Sequence, residues 1–133
     1  MATWTEPKTN WVTGDYFNVD PDYKRIKGNI EYLTELAQTI YVQWNNTKLS
    51  DVAIGYIPLV DFFNNVVKAT QEIIDYTKTG GTADMPMYVA NDRAWNSTEL
   101  NNIEKNHLIL HTSILNQRDV LKRISFKLNG GNF

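Results

Sequence analysis

Glu104 stands three residues before His107, and His107 four before His111. On a helix those spacings gather the side chains along one face. Glu-x-x-His is half of the ligand set with which helical bundles hold two iron ions. The other half needs carboxylates projecting inward from neighbouring helices. Glu31 and Glu35 fall off the apolar face of an earlier helical stretch, Asp61 and Glu72 sit at the margins of another, and there is no second Glu-x-x-His. The expectation is therefore no metal and no cofactor, with His107 a buried or boundary histidine whose ring is hydrogen-bonded and His111 at the edge. Nucleophilic catalysis would need a hydroxyl brought to a histidine and a carboxylate, and no nucleophile elbow is present. Gly80-Gly81 is no phosphate loop, because no strand precedes it and no Lys-Ser/Thr follows. No catalytic residues, and no enzyme, are expected.

Two small basic clusters, Lys24-Arg25-Lys27 and Lys122-Arg123-Lys127, have acids nearby and read as solvated helix faces. With 13 bases against 15 acids the chain lacks the field that draws nucleic acid, and it has no polybasic patch for a membrane. No apolar run is long enough to span a bilayer, and the N-terminus lacks the charged-then-apolar order of a signal peptide. The absence of cysteine removes disulfides and thiolate sites. Trp4, Trp11, Trp44 and Trp95 could stack on sugars, but in a small helical protein tryptophans more often belong to a core or an interface.

The elements that must carry these residues follow from periodicity. Residues 1–19 show no helical period and read as an extended arm, with a turn near Thr13-Gly14-Asp15. Its aromatics Trp4, Trp11, Tyr16 and Phe17 are costly to leave in water, so the arm should pack on its own domain or on a partner. Asp20 as cap and Pro21 as first residue start a helix over about 20–45, with Tyr23, Ile26, Ile30, Leu33, Ala37, Ile40 and Trp44 on one face. Gly28 interrupts it and could admit another element closely. A second helix runs from Pro58 to about Lys78 on Phe62, Val66, Ala69, Ile73 and Tyr76, and Gly80-Gly81 stops it. Between these two helices a short turn of helix could form near Leu49 to Ala53. The stretch 82–96 has no period, is apolar for a loop and should lie along the bundle, with a short strand conceivable at Met87 to Ala90. A third helix spans about 97–128, starting at Ser97, on Leu100, Ile103, His107, Leu110, Ile114, Gln117, Leu121, Ile124 and Leu128. Polar Gln117 in that row reads as a register device or as the point where the helix leaves the core. The expected fold is a single all-α domain: an antiparallel, up-down-up bundle of three main helices with an extended aromatic N-terminal arm.

Asp20–Asn29 also lines up with Ser97–Asn106, about 77 residues on, in cap, acid, apolar positions, isoleucine and asparagine. Phe17-Asn18 corresponds to Trp95-Asn96 with a one-residue shift. Any capped amphipathic helix offers part of this match. A shared structural purpose would add an aromatic docked under each first turn and would have Asn29 and Asn106 hydrogen-bond the backbone of the opposite arm.

The pattern Asn10-Trp11, Gly14-Asp15, Phe17-Asn18, then Asp22-Tyr23, Arg25-Ile26 and Asn29-Ile30-Glu31-Tyr32-Leu33 resembles small virion proteins encoded in the tail-gene region of phages and prophages of Gram-positive bacteria. Glu99 to Glu104 with Asn106 is similar to the matching helix start in those proteins. The resemblance implies a minor structural protein of the tail, tail tip or baseplate, neck or fibre attachment, made in the bacterial cytoplasm and carried in the virion. It implies other virion proteins as partners and no enzyme activity; a homo-oligomer is expected. Trp4, Trp11, Tyr16, Phe17 and Trp95 are the candidate contact residues. The competing readings are a receptor- or carbohydrate-binding module at the tail tip and a helical regulatory protein.

Overall fold

The computed structural model describes residues 2–41, 44–49, 60–85 and 96–130, with side chains described at all of these except 60–63 and 125–130. Three helices pack against one another: α1 (Lys24–Gln38), α2 (Val60–Thr77) and α3 (Ser97–Gly130), and the described residues contain no strand. The possible turn near Leu49 to Ala53, the possible strand at Met87 to Ala90 and the start of the second helix at Pro58 lie wholly or largely outside the described residues.

The helices form where apolar residues recur at three and four. Ile26, Ile30, Leu33 and Ala37 of α1 meet Val66, Ala69 and Ile73 of α2 and Ile103, Leu110 and Ile114 of α3 in one core. α1 is shorter than expected at both ends. Residues Val19–Tyr23 make a single π-helical turn in which Asp20 is non-helical, so Asp20 caps nothing. The Asp20–Pro21 peptide bond is cis. At the other end Thr39 turns its hydroxyl onto the Leu36 carbonyl at 2.6 Å, and the Ile40 and Tyr41 N–H groups both bond to Ala37. The chain leaves the helix there. Trp44 is therefore not on the face of α1; it lies on the following segment and stacks on Tyr76 of α2, centroids 4.5 Å apart.

The three helices run parallel, and the up-down-up course is corrected. Arg25 of α1 pairs with Glu104 of α3, Trp4 touches both Tyr32 and His111, and Tyr41 reaches Gln117, so numbers rise together along α1 and α3. Thr70 bonds His107, and the Thr77 carbonyl bonds Gln117, so α2 and α3 also rise together. Parallel neighbours require a return path. The segments between the helices, 39–59 and 78–96, are each about 20 residues long. Covering an 18-residue helix of roughly 27 Å takes only about eight extended residues. The described parts show the return. Asn46 bonds Thr34 after Trp44 has met Gln38, and Ala83 meets Asn106 after Thr79 has met Ser113. Each helix is thus preceded by a segment that travels against it.

Candidate functional site

The N-terminal arm lies antiparallel in the groove between α1 and α3, held by its backbone. The N–H groups of Ala2, Thr5, Lys8 and Trp11 donate in turn to Glu35, Asn29, Glu104 and Asn101. A contact every third residue is the repeat of a polyproline II chain, whose peptide groups have no partners of their own and must find them outside. Two asparagines close the bond in both directions. Asn29 Nδ2 donates to the Thr5 carbonyl at 2.8 Å while its Oδ1 accepts from the Thr5 N–H at 2.9 Å; Asn101 does the same for Trp11. Each side-chain amide acts as one rung of a sheet ladder.

Glu104 is the hub. Its residue is fully buried, and each carboxylate oxygen takes two donors. Oε1 accepts from the Lys8 N–H at 3.0 Å and from Arg25 Nε at 2.7 Å; Oε2 accepts from Trp11 Nε1 at 2.7 Å and Arg25 Nη2 at 2.8 Å. Arg25 Nη1 reaches Asp22 at 3.2 Å, and Asp22 accepts from the Asn18 N–H. Burial pulls the Arg25 pKa down, but Glu104 and Asp22 outweigh it and leave it raised. A charge pair this buried is held only because every lone pair is filled. Arg25 was expected on a solvated basic face; it is instead inward, and Lys24 alone of its cluster is well exposed, bonding Asp20.

The Glu-x-x-His spacing does not converge on a common point. Glu104 faces Arg25 and the arm. His107, fully buried, faces α2, with Nε2 3.0 Å from Thr70 Oγ1 and Nδ1 without a partner among the described residues. His111 faces Trp4, their rings stacked at 4.0 Å, with the edge of Tyr32 5.6 Å away. Burial, with Arg25 adding to it, drives His107 down to about 3, so the ring is neutral. Burial also lowers His111, against the pull of Glu6. Among the described residues no group of three or more histidines and carboxylates could hold a metal ion. No protein-family model, curated protein or solved structure matches the chain.

Of the five aromatic candidates, Trp11 is a core residue at 3% exposure, Trp4 and Phe17 are half-buried against the core, and Tyr16 is 86% exposed. Trp95 lies outside the described residues. Only Tyr16 of the described four presents a free aromatic face; the other three secure the arm. The expected turn is present: the Asp15 N–H bonds Val12, Asp15 accepts from the Val12 N–H, and Gly14 takes φ 98°, a conformation that favours glycine. Gln117 sits where α3 leaves the bundle, accepting from Tyr41 and donating to the Thr77 carbonyl and Ser113.

The second arm–helix unit reuses the first. Asn106 clamps Ala83 with 2.7 and 2.8 Å bonds, as Asn29 clamps Thr5. Each asparagine therefore holds the arm leading into its own helix, not the opposite arm as expected; Asn101 does the opposite-arm work for α3. The start of α3 is a capping box centred on Asn96, not Ser97: Glu99 N–H donates to Asn96 Oδ1, and Asn96 N–H to Glu99 Oε1. The roles of Arg25, Asn101 and Glu104 were missed in the sequence. Their partners are largely backbone groups and distant charges, which leave no local spacing to find.

Proposed function

We propose that the chain is a structural protein of a phage virion, in the tail, tail tip or baseplate, neck or fibre attachment, acting through protein–protein contacts. The observation that carries this reading is the use to which the virion-like motif is put. Trp11, Asp22, Arg25 and Asn29, all in that motif, are the residues that lock arm, helix start and α3 into one body. Tyr23, Ile26, Ile30 and Leu33 from the same motif fill the core. The resembling pattern thus encodes a rigid scaffold, and a scaffold whose chemistry is spent on holding itself together serves by the surfaces it presents. Other virion proteins are the partners in this reading, and the protein is made in the bacterial cytoplasm before incorporation. Mass spectrometry of purified particles tests it: the chain is expected at stoichiometric abundance in virions, and its absence from them sinks the proposal.

A further inference from the structure

Among the described residues the large hydrophobic side chains left most exposed gather at the two ends of the molecule. Val12 and Tyr16 stand at 61% and 86% beside the start of α3, and Val120, Leu121 and Ile124 at 50%, 47% and 48% near its end. Tyr76, the remaining one at 46%, is already covered on one side by Trp44.

The far end arises because α1 and α2 stop while α3 continues. Tyr41 and Thr77, at the ends of their helices, both bond Gln117. Residues 118–130 then continue past the ends of α1 and α2 for roughly 20 Å at ~1.5 Å per residue. Leu121 and Ile124 continue the row that within the bundle reads Ile103, His107, Leu110, Ile114, with the same three-four spacing. They were expected in the core; they are exposed, and no other described helix reaches that level. The near end offers a cavity of about 300 Å³, with Trp11, Phe17 and Leu100 in its wall and Val12, Asp15 and Tyr16 around it.

Charge separates the ends. Residues 118–130 carry four bases (Arg118, Lys122, Arg123, Lys127) and one acid, Asp119. At the near end the exposed or half-exposed charges of residues 6–25 and 96–104 are three acids (Glu6, Asp15, Asp20) and two bases (Lys8, Lys24), while Asp22, Glu99 and Glu104 are buried and Arg25 is taken up by two of them. Two projecting ends brought together would set like charge against like, whereas a projecting end meets opposite charge at the near end.

We infer that the projecting end of α3 docks on the opposite end of a second copy, head to tail, its Val120–Leu121–Ile124 surface over the Val12–Tyr16 rim of that cavity. The contact is heterologous, so it propagates into a ring or a column rather than stopping at a pair. It is a property of the purified chain and stands or falls apart from the virion reading.

Sedimentation velocity on the purified full chain tests it. At about 100 µM and low salt the protein is expected to form dimers and longer species, which dissociate as salt rises and screens the exposed charges. L121E/I124E and V12K/Y16K, all at exposed positions, are each expected to be monomeric with an unchanged melting temperature. Mixed together they should form a one-to-one pair and nothing longer, because each contributes one intact end. A monomeric native chain overturns the inference, and so does association that survives V12K/Y16K, which is the signature of end-to-end contact between projecting helices. Failure of the two variants to pair when mixed overturns it as well.

Discussion

The two arm–helix joints of this molecule solve one problem with different chemistry. In both, an asparagine precedes the helix and an acid reaches back to its N–H: Asp22 to Asn18, and Glu99 to Asn96. In both, a later asparagine clamps the incoming arm. The first joint has one more residue than the second, and that residue is absorbed in the π turn. Tyr23 N–H bonds Asn18, five residues back, where Leu100 N–H bonds Asn96, four back. A wider turn costs the first joint its side-chain cap, since Asn18 makes no capping bond while Asn96 makes a full box. What replaces the cap is charge: Asp22 holds Arg25, and Arg25 holds Glu104 on the other helix. The first joint is tied by charge to α3, and the second is closed by the reciprocal bonds of Asn96 and Glu99.

The largest test of that contrast is Glu104→Ala, which strands Arg25 and two arm donors; about 3–5 kcal/mol of stability should be lost in urea unfolding. Adding Arg25→Met should recover part of it. The equivalent position in the first unit is Lys27, which pairs with Glu31 along its own helix, and Lys27→Ala should cost less than Glu104→Ala. Similar losses at the two positions would mean the joints are tied equally.

Asn29→Ala and Asn106→Ala should each cost about 2 kcal/mol by leaving a backbone N–H and C=O without partners. Their near-equality is the point: a clear gap between the two unfolding free energies would show that only one clamp bears on the fold.

His107 occupies the position that Ile30 holds in the first unit, and it makes the second pH-sensitive. Its folded pKa, about 3, lies below the ordinary value of 6.5, so the unfolded chain binds the proton first as pH falls. The stability associated with the neutral ring is fully present above pH 6.5. It declines as pH drops toward 3, by at most about 1.4 kcal/mol per unit, and His111 acts more weakly in the same direction. H107I/T70V, which makes the layer resemble α1, should flatten that slope in denaturation measured from pH 7 to 5. An unchanged slope would assign it to carboxylates instead.

A smaller contrast is Asn96→Ala against Asn18→Ala. The first removes a capping acceptor and should cost about 1 kcal/mol; the second removes none and should leave the melting temperature nearly unmoved. Smallest of all, Gly28→Ala should stabilise by about 0.5–1 kcal/mol, because its new Cβ would meet only the Thr3 carbonyl oxygen, at an ordinary 3.9 Å. Loss of stability there would mean the arm packs more tightly on α1 than on α3, where Lys105 fills the equivalent position.

Much of the local structure was legible. The three-four rows of Ile26–Ile30–Leu33–Ala37 and Ile103–His107–Leu110–Ile114 place the helices and their buried faces, because burial selects residue type at the helical period. The repeat was legible down to its one-residue shift, though not the π turn that absorbs it. The links expected from the sequence, 46–57 and 79–96, were already longer than the two to eight residues usual between antiparallel helices. The candidate site was much less legible. Glu104 looks the same in sequence whether it binds a metal, faces water or collects four donors, and the arm is gripped through peptide groups that every residue carries.

The sequence by itself determined where the helices lie, which faces are apolar and that the arm is extended, since these follow from each residue's own size, polarity and backbone freedom. Only the tertiary structure decided that the helices run parallel, that Arg25 and Glu104 meet 79 residues apart, and that α3 outruns its neighbours. Direction, long-range pairing and relative length are relations between elements, and an isolated helix has the same pattern whichever way its neighbour points.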